Sequence, residues 1–275
     1  MKKNNIKKVK NGKKRISINE LNLIQEAYFK KLTFADYFKF LGIPAIAFGA
    51  ITHVLQFYVP ATIVAAIVGI CFGLFKQMPK MVKKNYFLQS YVERNRFLNN
   101  FTQLIVNENI MLLDIIEKII PRLSGELYND ITVLLARITT SNNDMAKEAF
   151  KDLANKYQED VVFSQYVEQI ETVFLEGYRN IDSFKELKKQ HNILLEKIHD
   201  FQKDKIKAMS NFIGILTLAG ILVGVLILGR GIDLYITAYA HTVMGAVGNT
   251  SYLILLFFLY NKLMNYIYDD SITNL

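Results

Sequence analysis

MSNFIGILTLAGILVGVLILG, residues 209–229, runs for twenty-one positions without a charged side chain. As a helix, about 20 apolar residues match the hydrocarbon thickness of a bilayer. Two more such blocks lie upstream, at 40–59 (FLGIPAIAFGAITHVLQFYV) and 61–77 (ATIVAAIVGICFGLFKQ), with only Pro60 between them. Each reads as a span, and the short link makes the two a tight hairpin. Downstream of 229, Arg230-Gly231-Ile232-Asp233 is a polar turn. Residues 234–268 are too long for one span and marginal for two. The reading taken here is an interfacial or tilted stretch near 234–243 and a fourth span over about 244–263. Whether 234–250 spans, re-enters or lies at the interface stays open.

The fold class expected is therefore all-α: a membrane protein with two transmembrane helical hairpins flanking a cytoplasmic helical bundle. Its parts are a basic tail and amphipathic helix (1–39), a first hairpin (40–77), a cytoplasmic domain (78–208), a second hairpin (209–268) and a short tail (269–275).

Charge supports this order. Residues 1–39 hold eleven Lys and Arg against Glu20, Glu26 and Asp36, an excess equal to the net charge of +8. A basic tail leading into a span reads as a cytoplasmic flank attracted to anionic lipid. Its first fifteen residues lack the aromatics that nucleic-acid binding favours, so membrane lipid is the expected partner and nucleic acid is not. Lys31 and Lys39 precede the first hairpin, and Lys76, Lys80, Lys83 and Lys84 follow it. Positive charge at its two ends puts them in the cytoplasm, and four spans then leave both termini there, in a cell (inner, cytoplasmic) membrane. No cleavable leader is expected, because the first apolar stretch begins only near Phe38. Cys71 is the single cysteine, which rules out an intramolecular disulfide.

The middle of the chain reads as helices broken by Pro121, Gly125, Ser141-Asn142-Asn143 and Gly177. The expected helices are 86–107, 109–119, 123–139, 144–157, 160–176 and 181–208. Ser17-Ile18-Asn19-Glu20 matches a capping box for a helix over 18–38. Asn143 or Asp144 would cap the fourth bundle helix, and Ser183-Phe184-Lys185-Glu186 offers a box for the last. That last helix carries a stripe at Phe184, Leu187, His191, Leu194, Ile198 and Phe201, spaced as in a coiled-coil seam. Neither Pro nor Gly interrupts it before Gly214, so 181–229 is expected to run as one rod of about 70 Å.

Small residues repeat every fourth position in the second span (Ala65, Gly69, Gly73) and in the third (Gly220, Gly224). Close backbone approach through small residues drives helix association in lipid, so these are candidate packing faces. His53 and His241 lie in or near spans, and no intramembrane Asp or Glu joins them. His191 and His199 are eight apart, not the i, i+4 pair of a helical zinc site. No phosphate-binding loop, zinc-protease, nucleophile-elbow or Cys–His motif occurs. No catalytic residue, cofactor or metal is expected.

The segments 96–105 (RFLNNFTQLI) and 107–116 (NENIMLLDII), with the Glu176-Gly177 step before the last bundle helix, sit between paired spans. In this order the chain resembles the type II secretion F-domain family, the inner-membrane platform proteins of type II secretion, type IV pilus and tight-adherence pilus systems. The resemblance implies a six-helix cytoplasmic bundle, a homo-oligomer, contact with a hexameric secretion-type ATPase and with pilin-like subunits, and no enzymatic activity. The expected function is a platform that couples the ATPase to pilus or secretion assembly. A transporter or channel subunit, with His53, His241 and Asn249 lining a path, is the alternative, and a membrane-anchored enzyme or sensor is the third.

Overall fold

A computed structural model describes residues 18–140 and 142–269; the basic tail through Ser17, Ser141 and the tail from residue 270 lie outside the described residues. The described chain is helical, without strands. We number its helices α1 Ile18–Glu26, α2 Phe34–Gln56, α3 Val59–Ile105, α4 Leu112–Ile119, α5 Gly125–Thr140, α6 Asn143–Lys156, α7 Val161–Glu176, α8 Ile181–Arg230, α9 Ile232–Tyr235 and α10 Val243–Ile267. Four of them, α2, α3, α8 and α10, are long and apolar enough to cross a membrane. Two compact units emerge: residues 18–22, 31–83 and 202–269 form one, and residues 23–30 and 84–201 the other.

In the first unit α2 and α3 pack side by side. Phe57 turns the chain between them in a left-handed conformation (φ 45°), its N–H donating to the His53 carbonyl. The side chain of α10 residue Phe257 meets Phe48 and Phe72, with ring centroids 5.9 and 5.7 Å apart, and Tyr260 meets Phe72 and Phe212. Three π-helical turns interrupt the apolar helices: Phe38–Gly42 in α2, Gly73–Gln77 in α3 and Ile236–Ala240 between α9 and α10. Pro44 and Pro79 each follow one within two residues. A proline has no N–H to return to the preceding turn, and a local change to π pairing accommodates the gap.

The second unit is built from α4 to α7, the C-terminal part of α3 and the start of α8 around one apolar core. Aromatic rings dominate it: Phe97, Phe101, Phe150, Phe163, Tyr166 and Phe184 are almost completely buried. Burying a ring of this size removes the most apolar area per residue from water. Tyr166 is there because its hydroxyl finds Thr102 Oγ1 at 2.8 Å.

Several boundaries differ from expectation. The helix expected over 18–38 stops at Glu26, and a new one starts at Phe34. The Asp36 carboxylate accepts from the Thr33 N–H and hydroxyl, each at 2.8 Å, and this reciprocal cap starts α2 six residues before the expected span. No break separates the second span from the first bundle helix, since α3 runs through both. Asn142, not Asn143 or Asp144, caps α6 by accepting from Met145 N at 3.1 Å. Asn180 rather than Ser183 caps α8, accepting from Ser183 N at 3.2 Å. Gly177, at φ 74°, ends α7 in the left-handed conformation that glycine tolerates best. The stretch left open at 234–250 holds the end of α9, a π turn and the start of α10 at Val243.

Candidate functional site

The seam of α8 faces inward over the second unit: Phe184, His191 and Ile198 are buried, and Leu187, Leu194 and Phe201 are half-buried. A histidine in the middle of an apolar stripe needs polar partners, because an unpaired buried polar group is costly. His191, fully buried, has them on its two ring nitrogens. Nδ1 lies 3.0 Å from Asn95 Nδ2, and Nε2 lies 3.1 Å from Asp160 Oδ2. Asn95 Nδ2 also donates to Asn192 Oδ1, while Asn95 Oδ1 accepts from Asn99 Nδ2, each at 2.8 Å. With Asn95 thus oriented as donor, His191 Nδ1 accepts and Nε2 carries the proton that goes to Asp160.

Asp160 joins three elements. Its Oδ1 caps α7 by accepting from Phe163 N at 3.1 Å, and its Oδ2 takes Arg94 Nε at 2.6 Å as well as His191. Burial alone would raise this carboxyl. The hydrogen bond from His191 and the Arg94 charge outweigh it and hold it down to about 2. Arg94 in turn donates to Ser90 Oγ at 2.7 Å and lies over the Tyr91 and Tyr157 rings, 5.3 and 5.4 Å from their centroids. Tyr91 stacks on His191 at 4.2 Å with planes 12° apart.

A second polar chain begins at Tyr157, whose hydroxyl donates to Asp130 Oδ2 at 2.8 Å. Burial and the Asp130 charge push its phenol up, so it remains a donor. Lys156 bridges Asp130 and Glu126, and Tyr86 donates to Glu126. The acids and bases here are engaged with one another. Such a network fixes which side chains of α3, α5, α6, α7 and α8 meet, a registry role more than a reactive one. Among the described residues, no group of three His, Cys, Asp or Glu is placed to hold a metal.

In the first unit, the small residues of the second span meet α2. A Cβ on Gly69 would stand 2.7 Å from the Pro44 carbonyl oxygen, and one on Gly73 would overlap the Phe40 carbonyl oxygen. Ala65 is half-buried. Gly220 and Gly224 are different: a Cβ on either meets nothing within 4 Å, and the apolar stretch of α8 is 0% buried within the chain.

The polar side chains on and beside the apolar helices are engaged locally. His53 Nδ1 lies 3.3 Å from Thr62 Oγ1. Asn249 Nδ2 donates to the Leu55 carbonyl at 2.7 Å, and the Tyr235 hydroxyl reaches the same oxygen at 3.2 Å. Gly245 allows the turn into α10, since a Cβ there would overlap the Tyr239 carbonyl.

Sequence reasoning singled out His191 but not Asp160, Arg94 or Asn95, which lie 31, 97 and 96 residues away from it. The signal available was indirect: a polar residue at a seam position calls for a buried partner somewhere.

Over 263 residues, 94% of each chain, the sequence is 33% identical to an uncharacterized protein of Bacillus anthracis. No model of a known protein family matches the chain, and no solved structure matches it.

Proposed function

We propose that this chain, which belongs to the family of the uncharacterized Bacillus anthracis protein, is a cell-membrane platform of a pilus or secretion machine. Two helical hairpins would flank a cytoplasmic bundle, with both termini inside. The bundle would receive motion from a secretion-type ATPase, and the spans, in a homo-oligomer, would pass it to pilin-like subunits. The chain would have no activity of its own.

The observation that carries this reading is α8. One helix, Ile181–Arg230, begins with a seam buried in a charge-mottled bundle and ends in a stretch apolar enough to cross a membrane. Such an element can convey displacement without a hinge between its halves. The resemblance of 96–105, 107–116 and Glu176-Gly177 to platform proteins supports the same reading. The local engagement of His53 and Asn249 favours packing over a permeation path, and so weighs against a channel.

Two measurements test it. A cysteine replacing Gln158 should react with a membrane-impermeant probe only from the cytoplasmic side. The full chain, purified from native membranes, should bring down a secretion-type ATPase in stoichiometric amount. Labelling from outside the cell, or purification without any ATPase, overturns the platform reading.

A further inference from the structure

We infer that Lys76 and Lys80 form a binding site for the phosphate of an anionic phospholipid, at the end of the α3–α10 pair. The inference rests on the membrane reading above and goes beyond it by assigning a site and a ligand class. Lys76 donates to Asn261 Oδ1, and Lys80 donates to Asn265 Oδ1 at 2.8 Å. Two lysines one turn apart on α3 thus face two asparagines one turn apart on α10. Lysines so spaced repel each other, and what holds them across the gap is a pair of neutral amide oxygens. Lys76 also lies over the Phe72 ring at 5.7 Å. An ammonium has three N–H donors, and the amide takes one. Asp269 draws on Lys80 from nearby, while its own backbone carbonyl takes the buried Lys205 ammonium.

A phosphodiester offers two anionic oxygens and suits two neighbouring ammonium groups. The surroundings select a lipid as its source. Phe75, next to Lys76, is 66% exposed, and on α10 Phe258 and Leu259 are 63% and 52% exposed just before Asn261. On these two helices an exposed apolar surface gives way to Lys and Asn within three residues. Acyl chains fit the first surface and a headgroup fits the second, whereas a soluble phosphate would leave the first uncovered.

The test uses the full chain in mild detergent with an equimolar mixture of phosphatidylglycerol and phosphatidylcholine, and native mass spectrometry to count retained lipids. The wild type should retain phosphatidylglycerol preferentially. K76Q/K80Q should lose that preference by about twenty-fivefold, the product of about fivefold for each lysine near an anionic headgroup. K76R/K80R should keep it, and so should K262Q, which removes an exposed charge at the same end of α10. Equal retention of the two lipids by the wild type, or an equal loss in K262Q, overturns the site. Displacement of phosphatidylglycerol by millimolar inorganic phosphate would assign the lysines to a soluble anion and overturn the lipid. If the double Gln variant does not fold, the wild-type, K262Q and single K76Q and K80Q results decide. Failure of the membrane reading looks different: the chain would then leave native membranes on alkaline carbonate extraction.

Discussion

The imidazole of His191 and the carboxylate of Asp160 meet at 3.1 Å inside the bundle, one from the seam of α8 and the other from the cap of α7. This contact ties the start of the longest helix to the bundle core through a polar bond in apolar surroundings. Removing one partner of a buried pair costs more than the pair contributes, because the other is left uncompensated.

Asp160→Ala should therefore destabilise the chain by about 3–5 kcal/mol, since it strands Arg94 and uncaps α7. Asp160→Asn keeps an acceptor for Phe163 N and should lose clearly less. Thermal unfolding of the two variants, followed by circular dichroism in one detergent, measures the difference. Equal losses would mean that the charge of Asp160 contributes nothing.

The same residue sets an acid limit. The Asp160 carboxyl is held down to about 2 in the fold, against 3.8 ordinarily. A carboxylate with a depressed value stabilises the fold above its unfolded value, and that contribution fades as pH falls through the folded one. Between about pH 4 and pH 2 the wild type should lose on the order of 2 kcal/mol from this group. In Asp160→Asn this component of the acid sensitivity should be missing, which a pH series of unfolding midpoints would reveal.

Glycine positions should separate into two classes. Gly69→Ala and Gly73→Ala place a methyl against backbone carbonyls of α2 and should each cost about 1–3 kcal/mol or displace the helices. Gly220→Ala and Gly224→Ala meet open space and should leave the stability of a single chain unchanged. Denaturation in detergent reads the first pair. A change of oligomer size in the second pair, by light scattering, would place that face between copies.

Asn249→Leu removes one of two donors from the Leu55 carbonyl. Hydrogen bonds between helices in lipid contribute about 0.6 kcal/mol on average and rarely above about 1.7. A loss in this range is expected from thermal unfolding. Unchanged stability would mean that Tyr235 alone satisfies the carbonyl.

The apolar blocks were legible because a helix long and apolar enough to cross a bilayer needs about 20 such residues in a row, and four helices of that kind are present. The seam from Phe184 to Phe201 was legible because helical spacing survives in the sequence whatever packs against it. The start of α2 was not: the Thr33–Asp36 cap lies inside what reads as one amphipathic run. The fusion of the second span with the first bundle helix was also missed. A charged stretch at 78–85 looks like a link when local composition is the only guide. The site around His191 was half legible. A seam histidine announces a need for partners, but nothing local tells that Arg94 and Asp160 supply them through folding.

The π turn at Gly73–Gln77 amounts to one residue more than an α-helical turn holds. That surplus shifts the phase of all that follows by about 100°, the rotation a single residue contributes. Upstream of it Gly69 packs on α2, while Lys76, inside it, and Lys80, downstream of it, reach α10. Deleting Leu74 would restore an unbroken α-helix and swing the lysines away from their asparagines without changing either side chain. A single extra residue, in other words, sets which later side chains of α3 join Phe72, which meets α10 just ahead of the turn.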